Sequence, residues 1–128
     1  YTSYGSPLKL KAPDTPGDYE IRYILNQSMT VLTRTAIKVI EVRAHVNAPA
    51  SVKAGAKFQV NWQGPNYSSD YITIVPAGAK DSDYLGYAYT SKGSPVTLEA
   101  PVKPGEYEVR YILNQSRTAL AKTSIIIK

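Results

Sequence analysis

The sequence predicts an all-β antiparallel sandwich preceded by part of a second one, on three observations. Apolar and polar residues alternate with a period of two over much of the chain, and no stretch keeps a helical period. Turn clusters interrupt the alternation at short intervals: Lys53-Ala54-Gly55, Gly64-Pro65-Asn66, Pro76-Ala77-Gly78, Lys92-Gly93-Ser94-Pro95 and Lys103-Pro104-Gly105. Residues 1–40 return as residues 89–128 without insertion or deletion, and 24 of the 40 aligned positions are identical. A repeat at that offset is one small domain, not a solenoid turn. The chain is therefore read as a complete module at 42–128, preceded at 1–41 by the C-terminal half of another.

The strands follow in order. The first is expected at 42–48 and the second at 56–63, where Phe58-Gln59-Val60-Asn61-Trp62 alternates. The third spans 70–76 and the fourth 84–90. The fifth spans 95–100, through Val96-Thr97-Leu98-Glu99. The sixth spans 106–113, with Tyr107, Val109, Tyr111 and Leu113 on one face. The seventh spans 118–127 after the turn Asn114-Gln115-Ser116-Arg117. Seven short strands are the number expected of an immunoglobulin-like sandwich. In the half-module, strands five to seven recur at 7–12, 18–25 and 30–40, and residues 1–3 end its fourth. Between Thr30 and Ala48 there is no Gly or Pro. A flexible linker would be rich in them, so a semi-rigid joint and an elongated rod are expected.

Composition narrows the function. Of 128 residues, 43% are hydrophobic and 20% charged, within the globular range. A half-module of about forty residues sits at the limit of independent folding. With no cysteine to staple it, it must pack against something. The net charge of +5 comes without a basic run, which argues against nucleic acid. No apolar stretch approaches the roughly 18 residues of a membrane span, so membrane insertion is not expected. With no initiating Met and no signal peptide, the sequence reads as a mature or excised piece.

Few residues invite chemistry. Pro104-Gly105-Glu106-Tyr107 and Pro16-Gly17-Asp18-Tyr19 recur at the start of strand six. Gly105 and Gly17 permit the turn, and Tyr107 and Tyr19 enter the core with hydroxyls bonding back to the loop. Trp62 shares a face with Phe58 and Val60 and is read as the central core ring. Glu108 and Arg110, like Glu20 and Arg22, fall on the outward face of their strand as exposed ion pairs of small energetic weight. His45 is the only histidine, too little for a zinc or copper site. Asp70, Asp81 and Asp83 are read as solvated turn residues rather than calcium ligands. Asn26, Asn66 and Asn114 fit glycosylation sequons, but two of them lie in the same hairpin turn, where Asn is favoured for backbone reasons. No nucleophile elbow and no phosphate loop occurs, so an enzyme is not expected and no cofactor is implied. Tyr67, Tyr71, Tyr84, Tyr87 and Tyr89 crowd the region from the loop between strands two and three through strand four, and the best ligand-facing candidates among them, Tyr67, Tyr84, Tyr87 and Tyr89, could stack on sugars or anchor a protein.

One resemblance is apparent. Asn61-Trp62-Gln63-Gly64-Pro65, Asp70-Tyr71-Ile72-Thr73-Ile74-Val75-Pro76, Tyr87-Ala88-Tyr89-Thr90 and Pro104-Gly105-Glu106-Tyr107-Glu108-Val109-Arg110-Tyr111 occur in series. The series resembles tandem immunoglobulin-like repeats of secreted or periplasmic bacterial proteins, of the kind that accompany von Willebrand factor A-type domains. The resemblance implies an extracytoplasmic location and a spacer or adhesive role, with no catalytic residue to transfer.

The expectation is a non-enzymatic structural or interaction module at the bacterial cell surface or in an extracellular fibre. Its partners would be neighbouring repeats or other copies of itself, with the half-module completed by another chain. A fragment of a longer array, a fibre subunit and an engineered piece are the three origins considered. The alternative function is a glycan- or ligand-binding module using the tyrosine-rich face.

Overall fold

The computed structural model describes all 128 residues, and the chain divides into two compact units, Tyr1–Glu41 and Val42–Lys128. It is an all-β protein, with only two single turns of 3-10 helix, at Thr2–Tyr4 and Thr90–Lys92.

The second unit is a sandwich of eight strands, β3 (His45–Asn47), β4 (Ser51–Val52), β5 (Lys57–Gln63), β6 (Tyr71–Pro76), β7 (Gly86–Tyr89), β8 (Val96–Glu99), β9 (Gly105–Leu113) and β10 (Thr118–Ile127). One sheet has the order β4-β10-β9-β6-β7 and the other β3-β5-β8. The expected first strand is thus split. Its first part pairs antiparallel with β5, while Ser51 and Val52 pair parallel with Ile126 and Ile127 in the opposite sheet. The break falls at Ala48-Pro49-Ala50, where a proline cannot donate a ladder hydrogen bond.

The core lies between the sheets. Phe58, Val60, Val96 and Leu98 from the smaller sheet meet Ile72, Ile74, Val109, Tyr111, Ile125 and Ile127 from the larger one. Trp62 sits at the margin of this core rather than its centre. It is half-buried, its ring lies 5.7 Å from that of Tyr111, and its indole N–H donates to the Gly93 carbonyl at 2.9 Å. The indole needs a polar partner, and the end of the strand supplies one. Next to it, Gly64 faces the same tyrosine. A Cβ built on Gly64 would stand 2.6 Å from Cε2 of Tyr111. That ring is fully buried and tethered through its hydroxyl, so it cannot yield. Gly64→Ala is expected to lower stability by about 1–3 kcal/mol, the usual cost of overpacking; equilibrium urea unfolding measures it.

The first unit contains one hairpin, β1 (Gly17–Leu25) and β2 (Thr30–Val39), as a two-stranded sheet. It reproduces the β9–β10 hairpin in detail. Tyr19 faces Ile37 as Tyr107 faces Ile125, and the pairing in both skips one leucine, Leu32 or Leu120. The turn residues Met29 and Arg117 both take left-handed backbone, with φ of 53° and 55°. The tyrosine corners form in both copies, Tyr19 donating to the Thr15 carbonyl and Tyr107 to the Lys103 carbonyl, each at 2.8 Å. The preceding glycines take φ of 155° and 153°, a conformation that side chains bearing a Cβ rarely adopt.

Two expected strand stretches are missing: the end of a fourth strand at 1–3, where a turn of 3-10 helix lies instead, and the fifth strand at 7–12. Residues 7–12 correspond to β8 but form no strand. In the complete module β8 gains its ladder by pairing with β5. The first unit has no counterpart of β5, so the segment has nothing to pair with. An isolated ladder donor stays in irregular structure, because strand geometry is stable only with its inter-strand bonds made.

Candidate functional site

Two surfaces stand out, one on the first copy of the repeated hairpin and one at the β7 edge of the complete module.

The first is the inner face of β1–β2. In the second unit the face made by Val109, Tyr111 and Ile125 is fully buried. Their counterparts Ile21, Tyr23 and Ile37 are 42%, 48% and 42% exposed, and Leu25 is as open as these. Fully burying such a side chain is worth roughly 1.5–3 kcal/mol. The register is identical in the two copies, so the exposure reflects what lies over the hairpin, not how it folds.

Polar groups tell the same story. Arg110 was expected to be outward and exposed, but it is 2% exposed. The connection from Ala77 to Leu85 folds back over the outer face of the larger sheet. Arg110 donates to the carbonyls of Ala79 at 2.8 Å and Lys80 at 2.9 Å, and to the Glu108 carboxylate at 2.6 Å. Asp81 helps to fasten the connection by accepting from the Ala119 N–H at 3.1 Å, and Asp83 caps its turn from Lys80. In the first unit Arg22 makes the same bond to Glu20, but its side chain is 50% exposed, because no such connection is present.

The hydrogen bond from Arg110 holds the Glu108 carboxyl below its ordinary range, against the smaller opposing effect of burial. A depressed folded value means that the carboxylate contributes stability above the unfolded pKa. That contribution is lost as pH falls through the folded value. The module is therefore expected to lose stability on acidification below about pH 4.5, the ordinary carboxyl value. Glu108→Gln should flatten that part of the urea-midpoint profile against pH.

Asp70 also departs from the solvated turn residue expected of it. It is fully buried. Its carboxylate accepts from the Tyr111 hydroxyl at 2.8 Å, the Tyr67 N–H at 3.0 Å and the Asn114 N–H at 3.0 Å. Tyr111 in turn accepts from the Asn66 N–H, and the buried Thr90 hydroxyl donates to the Asn66 side-chain oxygen. Burial, and then the bond to Asp70, push the Tyr111 hydroxyl well above the usual phenol range. No buried side-chain polar atom of the chain lacks a partner. The alternation of β9 marks Tyr111 as inward, but nothing in the sequence pattern near Asp70 distinguishes a buried acceptor from a solvated one.

The second surface lies on the outer face at the β7 edge. Tyr67, Tyr84, Tyr87 and Tyr89 are 50%, 53%, 48% and 42% exposed. Tyr84, Tyr87 and Tyr89 form a chain of edge-to-face contacts with centroids 5.4 Å apart, and Tyr84 and Tyr87 cover the buried Tyr71. With Asn114 and Arg117 they line a shallow cleft of about 110 Å³, and Tyr67 stands outside it. A hydrogen bond with Tyr89 raises the Tyr87 hydroxyl above its ordinary value. Tyr71 belongs to the tyrosine cluster expected from the sequence, whereas Asn114 and Arg117 do not. The signal for Arg117 is in the repeat, where Met29 is replaced directly after an otherwise identical run.

His45 is exposed on β3. No group of three or more His, Cys, Asp or Glu side chains is placed to hold a metal ion, and no helix is long and apolar enough to cross a membrane. No known protein family matches the chain, and no curated protein matches it.

Proposed function

We propose that the chain is a non-enzymatic structural and interaction module of the tandem immunoglobulin-like kind, working at a bacterial cell surface or in an extracellular fibre. Its binding element is the hairpin of residues 17–39. One observation carries this reading: the same hairpin occurs twice with the same register, once under a complete sandwich and once with its apolar face open. An open apolar sheet with unpaired edges is an association site. The strand order of the second unit, with three strands facing five, supports the immunoglobulin-like assignment.

Light scattering over a range of concentrations tests the reading. The apparent mass of the whole chain should rise with concentration, whereas residues 42–128 alone should stay monomeric and keep their β circular dichroism. A whole chain that is monomeric throughout, or a shortened chain that associates equally, counts against it.

A second reading rests on the tyrosine cleft. Half-exposed rings beside Arg117 and Asn114 suit a glycan, whose C–H faces pack on aromatic rings while its hydroxyls meet polar groups. A glycan array probed with the native chain and with Tyr84→Ala and Tyr87→Ala decides it. Binding that is lost in the variants supports a glycan site, and absence of binding by the native chain removes this reading.

A further inference from the structure

The open hairpin has a defined complement. Residues 1–40 align with 89–128, so what the first unit lacks is the counterpart of residues 42–88, the stretch that carries β3 to β7. In the complete module this stretch supplies Phe58, Val60, Ile72 and Ile74 to the core. It also supplies Asp70 to Tyr111 and to the Asn114 N–H, and the carbonyls of Ala79 and Lys80 to Arg110. The first unit holds the matching halves of these contacts. Tyr23 stands at the place of Tyr111, Asn26 at that of Asn114, and Arg22 with Glu20 at that of Arg110 with Glu108. Residues 7–12, at the place of β8, lack only a β5 to pair with.

A simple count rules out residues 42–128 as the complement. Residues 1–128 contain two segments of the 89–128 kind and one of the 42–88 kind. If the segment 42–88 of this chain or of a second copy moves onto the first hairpin, it leaves β9 and β10 uncovered. The same apolar face is then exposed elsewhere, and nothing is gained. Two open hairpins can still touch face to face, but neither can bring Asp70 to Tyr23.

We infer that the hairpin of residues 17–39 is an acceptor for a further half-sandwich of the 42–88 kind, one not engaged by a hairpin of its own. This rests on the interaction reading above and names its partner. The donor carries an alternating apolar stretch like Phe58-Gln59-Val60, a mostly apolar strand like β6, and an acidic residue at the position of Asp70. On docking, Tyr23 and the Asn26 N–H donate to that carboxylate, Arg22 is covered by a connection like that of residues 77–85, and residues 7–12 become a strand.

The test mixes the whole chain with a polypeptide of residues 42–88 and, in parallel, places the same 47 residues ahead of Tyr1 in one polypeptide. The expected result is a one-to-one complex that replaces any self-association. Amide exchange should slow across 17–25 and 30–39, with new protection at 7–12. Ile21→Asp in the whole chain should abolish the complex, and Asp70→Ala in the added polypeptide should weaken it by about tenfold or more, since two buried donors lose their acceptor. The fused form keeps the test decisive if the free segment aggregates, and it should show the same protection. Absence of protection at 7–12 in both forms overturns the inference, as does a complex indifferent to Ile21→Asp. If the chain self-associates through Ile21 but takes up neither form of the segment, the interaction reading stands and the partner is wrong. If it does neither, both fail.

Discussion

Asp70→Ala should destabilise the complete module by about 4 kcal/mol, because three donors lose one buried acceptor and each orphan costs roughly 1–3 kcal/mol. The Tyr111 hydroxyl and the Tyr67 and Asn114 N–H groups are the donors. For a domain of this size, thermal unfolding should shift down by roughly 20 °C. Asp70→Asn keeps one acceptor oxygen and should recover about half of the loss. A shift of only a few degrees for the alanine variant would mean that water enters and replaces the carboxylate, and the network would then be a minor contributor. The segment from Gly64 to Ser69 is where the loss should appear first, since Tyr111 and Asp70 hold Asn66 and Tyr67 in place.

Arg110→Ala and Arg22→Ala form the second comparison, with one substitution made at two copies of the same strand. Arg110→Ala should cost about 3 kcal/mol, near the lower end for breaking a buried ion pair. The lower end applies because the Glu108 side chain keeps 17% exposure and can reach water once its partner is gone. The carbonyls of Ala79 and Lys80 also lose their donor, so the connection over the sheet should become a site of proteolysis. Arg22→Ala should change stability by no more than about 0.5 kcal/mol, as exposed pairs do. Urea midpoints of the two variants give the contrast. Equal effects would show that burial does not set the worth of this ion pair.

Much of this architecture is legible in the chain. Alternation locates β5, β9 and β10 to within a residue or two, and the repeat marks the division between the units. Tyr107 and Tyr19 announce their corners through the glycine two positions before them. The rest depends on contacts across the fold. Alternation assigns Arg110 to the outward face, which is correct, but that face is roofed by residues 77–85, and a roof leaves no period in the strand beneath it. The run of β6, apolar at every position but Thr73, is the available sign, since a strand covered on both faces does not alternate. Residues 7–12 show the opposite case. Their pattern is that of a strand, and the pattern has no effect without a neighbour to pair with. Asp70 was misread because a buried acceptor and a solvated turn residue look alike in one sequence. The rings of Tyr84, Tyr87 and Tyr89 are identifiable as a cluster, but Arg117 reaches them from a different hairpin, 28 positions beyond Tyr89.

The small parallel pairing of β4 with β10 has a mechanical meaning. Backbone bonds from Ile126 to Ala50, from Lys128 to Val52 and from Ala54 to Lys128 flank the two-residue ladder of this seam. β4 is tethered through its N-terminal side, toward Val42, while β10 runs out at its C-terminal end. A pull between Val42 and Lys128 drags these parallel strands in opposite directions along their own axes. The bonds of the seam are then sheared together rather than opened in sequence like a zip. A seam only two residues long in each strand thus lies across the load path of the second unit, and it must fail before β10 can peel away from β9.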